Sequence, residues 1–151
     1  MRRRRRALVT LAALCATVAL ATACTSDDSS PLRDEFEAAR ARWDAAGSDD
    51  YFFFLQRRCE CPPEWSARTM VIVRGGTVSS ASIDGGFAPD GAALTIEELF
   101  DEIAAALDEP VDVAVTYDAE LGHPLDVQLD LEAIAVDGGL SLTLSGFERL
   151  D

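Results

Sequence analysis

The chain contains no lysine and a single histidine, His123. All of its positive charge is arginine, and arginine is outnumbered: 13 basic residues stand against 27 acidic ones, a net charge of −14. So acidic a body repels nucleic acid and anionic lipid headgroups and attracts cations. Its plainest use is solubility outside the cell. With one histidine and few thiols there is no zinc framework and no metal site to assign. His123 lies in a Gly-His-Pro turn, and no Gly-x-Ser-x-Gly or other nucleophile frame accompanies it. Asp130 and Glu132 share one face of a strand, which solvated alternation explains. None of the Asp-Gly pairs follows the spacing of a calcium loop, although weak surface binding of Ca²⁺ is left open. There is no thioredoxin-like motif and no convincing internal repeat. These absences point to a protein that is not an enzyme and carries no cofactor.

The first 23 residues read as a leader. Residues 2–6 are five arginines, Ala7 to Ala21 is an uncharged apolar run, and Ala21-Thr22-Ala23 supplies small residues before Cys24. This is the pattern of a secretory signal, and the run is short for a membrane span. The residues after the arginines, Ala7 to Thr10, do not match a twin-arginine signal. Leu20-Ala-Thr-Ala-Cys24 resembles a bacterial lipobox, with Ala21 where leucine is commonest. The resemblance implies lipidation of Cys24 and anchoring on the extracytoplasmic side of the membrane; ordinary cleavage at the same bond would release a secreted protein. Residues 24–30 then form a polar tether, and residues 31–151 form one domain of ordinary size. Loss of the leader's five arginines leaves a net charge of 8 − 27 = −19.

The domain is organised around Tyr51-Phe-Phe-Phe-Leu-Gln-Arg-Arg-Cys-Glu-Cys61, its most aromatic stretch. Consecutive aromatic residues suit a buried strand. Tyr51, Phe53 and Leu55 point one way and Phe52 and Phe54 the other, so both faces need cover near the start. Cys15 leaves with the leader, and with Cys24 lipidated only Cys59 and Cys61 remain to pair in an oxidising compartment. A straight strand would set their Cα atoms about 6.6 Å apart, so a bridge needs a local bend.

Ser30, Pro31 and Gly47 bracket a helix over Pro31–Ala46, with Leu32, Phe36, Ala39 and Trp43 as its apolar stripe. Pro62 to Trp65 read as a loop. Residues 67–74 and 77–83 form a hairpin across Gly75-Gly76; pairing Arg74 with Thr77 puts Val73 opposite Val78, and Met70 and Ile72 on the face of Ala81 and Ile83. Asp84 to Gly91 is a loop dense in turn formers. Thr95 and Glu98 make a capping box for a second helix, whose apolar face is Ile96, Leu99, Phe100, Ile103 and Leu107. Pro110 ends it, and Asp108 and Glu109 oppose its dipole. A strand follows at Val111–Tyr117 and another from Leu125. An Asp137-Gly138 turn would pair Ala135 with Leu140, Ala133 with Leu142, Leu131 with Leu144, Glu132 with Thr143 and Asp130 with Ser145. The class is α+β, with about six antiparallel strands in the order helix, three strands, helix, three strands. One sheet with both helices on one face and two packed half-units are both compatible with this order.

Cys59-x-Cys61 after an aromatic strand, Val71-x-Val73 with Gly76-x-Val78, Leu99-Phe100 with Ile103, and Tyr117-Asp118 with Gly122-x-Pro124 together resemble a family of bacterial secreted and lipid-anchored domains of unknown function (number 6174). The resemblance spans roughly residues 36–147. It implies a domain extent and a location but no activity.

Two functions fit the residues. The first is a binding module that presents a surface to an envelope protein or a small ligand. Its candidate loops are the one around Trp65, beside Arg57 and Arg58, the Gly85–Ala93 loop, and the Asp118–Pro124 loop, which carries His123 and is flanked by Tyr117. The second is thiol chemistry at Cys59 and Cys61, either redox exchange favoured by Arg57 and Arg58 or capture of a soft metal such as Cu(I). A structural disulfide clip is the simpler use of these two cysteines.

Overall fold

In the computed structural model of the chain the described residues are 30–130 and 139–150. The leader, Cys24 and the Asp137-Gly138 turn lie outside them. The first element, α1 (Pro31–Ala46), begins where Ser30 accepts the Arg33 N–H on its side chain and ends at Gly47, whose φ of 57° lets its N–H reach the Trp43 carbonyl. Phe36, Ala39 and Trp43 are buried, but Leu32 is 45% exposed, so the stripe starts one turn later than its spacing predicts.

The strands are β1 (Tyr51–Arg58), β2 (Thr69–Arg74), β3 (Thr77–Ile83), β4 (Gly86–Phe87), β5 (Asp112–Tyr117), β6 (Pro124–Asp130) and β7 (Gly139–Arg149). They form a single antiparallel sheet of seven strands in the order β4-β3-β2-β1-β7-β6-β5, which excludes two half-units. The seventh strand is the two-residue β4, inside the stretch whose turn formers suggest a loop. A second correction is α2 (Pro63–Ser66), a helical turn where Pro62 to Trp65 read as a loop. Pro63 sits at its first position, where a missing N–H is harmless.

Both long helices, α1 and α3 (Ile96–Leu107), pack on one face of the sheet. The core joins Phe36, Ala39 and Trp43 of α1 and Ile96, Leu99, Phe100, Ile103 and Ala106 of α3 to the inward residues Tyr51, Phe53, Leu55, Val71, Val73, Val127, Leu129, Leu142 and Leu144. The capping box is formed from both sides, Thr95 accepting from the Glu98 N–H and Glu98 from the Thr95 N–H. Leu107 is only half-buried; Ala106 takes its place in the core. At the C-terminal end of α3, Arg33 donates to the Leu107 carbonyl and to Asp108, which offsets the unfavourable acidic end. One polar knot crosses the layers: Glu97 accepts from Trp43 Nε1 and from the Tyr51 hydroxyl, each at 2.8 Å, and Tyr51 accepts from the Ile96 N–H at 3.0 Å. Every polar atom taken into the core there has a partner, as burial demands.

Two registers differ from expectation. Arg74 pairs with Thr77 and Val73 with Val78, but a bulge follows, so Ile72 pairs with Ser80, Val71 with Ala81 and Met70 with Ser82. The extra residue, Ser79, places Ser80 and Ser82 beside Met70 and Ile72 instead of Ala81 and Ile83. In the β6–β7 pair, Leu140 faces Leu129, Leu142 faces Val127 and Thr143 faces Asp126, not Ala135, Ala133 and Glu132. The shift is six residues. Because it is even, the same side chains still point inward.

Candidate functional site

The helices cover most of the inward face of the sheet, so the outward face is the broad surface left for contact. Its two halves differ. On β5, β6 and β7 the outward residues are Asp112, Ala114, Thr116, Asp126, Gln128, Ser141 and Thr143. Asp126 ties this half together, accepting from Gln128 at 3.0 Å and from Thr143 at 3.1 Å. On β1 to β4 the register aligns Phe54 with Met70, Met70 with Ser82, and Ser82 with Phe87. At about 4.8 Å per strand this row runs about 14 Å across the sheet. A second row places Phe52 beside Ile72. Phe52, Phe54, Met70 and Ile72 are half-buried, and Phe87 is 86% exposed. The Phe52 and Phe54 rings meet edge to face at 6.3 Å, and the Arg68 guanidinium lies 3.8 Å from the Phe54 ring centre.

The side chain of Phe54 has room because of Gly146. This glycine, at φ +62°, sits at the bulge where the β1–β7 register shifts between Phe52 and Phe54. A Cβ there would lie 3.0 Å from the Phe54 ring. The bulge also turns Phe147 inward, onto His123 and Trp43.

At the far end of β1, Cys59 and Cys61 are joined in a disulfide with Cα atoms 5.2 Å apart. The strand stops at Arg58 and the backbone bends through residues 59–61, supplying the curvature the bridge needs. Arg57, the last inward-facing residue of β1, lies over the Trp65 ring at 5.6 Å, and a Cβ at Gly91 of the Gly85–Ala93 loop would lie 3.8 Å from that ring. The structure therefore brings together two of the three candidate loops. Burial lowers the Arg57 pKa, with Glu102 opposing the shift. Arg58 is exposed on the other side of the strand.

Tyr117, Asp118 and His123 form a separate group that is built into the domain rather than displayed. His123 is 4% exposed and stacks on Phe147 at 4.7 Å. Burial depresses its pKa, against the pull of Asp118. Tyr117 lies flat on Phe100, and burial, with Glu35 nearby, pushes its hydroxyl up to about 12. Asp118 Oδ1 accepts from the Leu121 N–H at 2.7 Å and the Glu120 N–H at 3.0 Å, and these bonds, Leu121 first, hold its carboxyl below the usual range. Gly122, at φ +83°, presses so closely on α1 that a Cβ would lie 2.1 Å from the Ala39 carbonyl oxygen. The Tyr-Asp…Gly-x-Pro pattern is thus a turn that docks the β5–β6 connection on α1.

Among the described residues no group of three or more His, Cys, Asp or Glu is gathered to hold a metal, and no helix is long and apolar enough to cross a membrane. The aromatic row is what reading by residue type misses. Its signal was present in the apolar residues at both alternations of Tyr51–Leu55, but Phe87 reads as a loop residue until β4 aligns it. No curated protein and no solved structure matches the chain. A family model matches residues 35–149, and the chain belongs to that family, a family of unknown function (DUF6174).

Proposed function

We propose that the chain is a non-catalytic binding module of the bacterial cell envelope, exported by its leader, anchored by acyl chains on Cys24, and meeting an envelope protein through the outward aromatic row. The observation that carries this reading is Phe87: a fully presented aromatic ring in register with Met70 and Phe54. Exposed aromatic residues over a rigid sheet are what protein interfaces use as anchors. The anchor is supported by the charged, apolar and small-residue pattern of residues 2–23. The intact mass of protein extracted from native membranes tests it: a mass above that of residues 24–151 by acyl chains is expected, and an unmodified mass refutes the anchor. For the surface, a photo-crosslinking side chain is placed at position 87 and, as a control, at Gln128 on the polar half. One partner captured from 87, absent from 128 and lost on Ile72→Asp in a folded protein, is expected. Equal labelling from both positions would sink the proposal.

A second reading, thiol exchange, is favoured by the position of the disulfide, which is partly exposed at the tip of β1 beside Arg58. Replacing both Cys59 and Cys61 by serine separates the two. As a clip around a very short loop, the bridge contributes at most about 1.5 kcal/mol in the chain-entropy view, and its loss should leave partner capture intact. A redox protein would keep its fold and lose its activity.

A further inference from the structure

A cavity of about 130 Å³ opens between α3 and the inward face of the sheet, away from the aromatic row. Its walls are Leu94, Leu99, Val127, Leu129, Leu140 and Leu142, and Arg57, Gly91 and Glu102 complete the lining. An apolar cavity of roughly 150 Å³ accepts a benzene-sized guest. The wall also holds one unmet demand. Arg57 Nε is buried and has no hydrogen-bond partner among the described residues. None of the three ion pairs among those residues involves Arg57. Trp65 covers one side of the guanidinium at 5.6 Å without offering it an acceptor. A buried N–H donor left unpaired is unfavourable, and an arginine donor is best met by a carboxylate.

We infer that this cavity is a binding site for a small apolar monocarboxylate, its hydrocarbon group among the leucines and its carboxylate on Arg57. Size limits the apolar part to about six carbons. Glu102, which faces the same space, balances Arg57 in the empty site; one bound carboxylate leaves the site at a net −1, so a second negative charge on the ligand is disfavoured. The site is distinct from the aromatic row, so either can fail without the other.

The test is a titration of the full chain in detergent, carrying ¹³C-labelled leucine and valine methyl groups, with benzoate and separately with benzyl alcohol, which has the same ring and no charge. Benzoate is expected to shift the Leu94, Leu129 and Leu140 methyl signals saturably, with a Kd on the order of 1 mM and about tenfold below that of benzyl alcohol. Arg57→Met should bring benzoate to the level of the alcohol and leave the alcohol unchanged. Equal binding of the two probes to the unaltered protein, or methyl signals that neither probe moves, overturns the inference whether or not the arginine variant folds.

Discussion

The outward face of the sheet is one surface with two characters. From β5 to β7 its side chains are short, polar and bonded to one another, with Asp126 at the centre. From β1 to β4 phenylalanine, methionine and isoleucine of β1 and β2 are followed by Ser80 and Ser82 of β3 and then by the exposed ring of Phe87. Both halves share the backbone ladder and lean on the same helices, so the fold alone does not require the difference. Water satisfies the polar half and leaves the apolar half uncovered. An apolar row that ends in a presented aromatic ring, on so acidic a chain, is a feature to be explained by contact.

The comparison can be broken most forcefully at its seam. Gly146→Val forces a branched residue into φ +62° and against the Phe54 ring, which should cost about 3 kcal/mol in urea denaturation with an unchanged m value. A loss below about 1 kcal/mol would mean that the bulge does not position Phe54. Phe54→Ala should follow at about 2 kcal/mol, since it removes a half-buried ring and its Arg68 contact. The matching truncation on the polar half, Gln128→Ala, should stay within about 0.5 kcal/mol. Similar values for the two would erase the energetic distinction between the halves.

Acidity offers a control from the opposite face. His123 has its pKa lowered on folding, so below its unfolded value of about 6.5 the unfolded chain binds more protons. Stability should therefore fall as pH drops below about 6.5, and His123→Phe should flatten that slope. Asp118 and Asp50, also lowered, act only below about 3.8, where their protonation removes a native contribution. A slope near pH 6 that survives the His123 change would place the responsible group elsewhere. The smallest effect on stability belongs to Phe87→Ser, within about 0.5 kcal/mol by thermal melting, although it should abolish partner capture. A large destabilisation would show that Phe87 serves the fold.

Much of this architecture was legible because local signals and burial agreed. Ser30, Pro31 and Gly47 bounded α1 correctly, and Thr95 with Glu98 set the start of α3. The β6–β7 register was not legible, since strict alternation makes every even shift equally good for burial. Leu140 suits Ala135 as well as Leu129 by that criterion. The bulge at Ser79 carried no residue signal, because serine needs no unusual φ there. The candidate site was half visible. Arg57 and Trp65 were named from sequence and do meet, whereas His123, exposed by expectation, fills the core between Trp43 and Phe147. A residue drawn from a turn motif reveals nothing about which way the turn folds.

The strand order has a consequence for how the molecule is made. The first strand, β1, lies at the centre of the sheet between β2 and β7. A chain emerging N-terminus first, from a ribosome or a translocation channel, can zip β1 to β4 early. It must then hold one edge of β1 open until residues 139–149 arrive. Pairing partners nearly a hundred positions apart close late and slowly. Such a domain stays threadable while it is being made and locks only when its final strand is delivered.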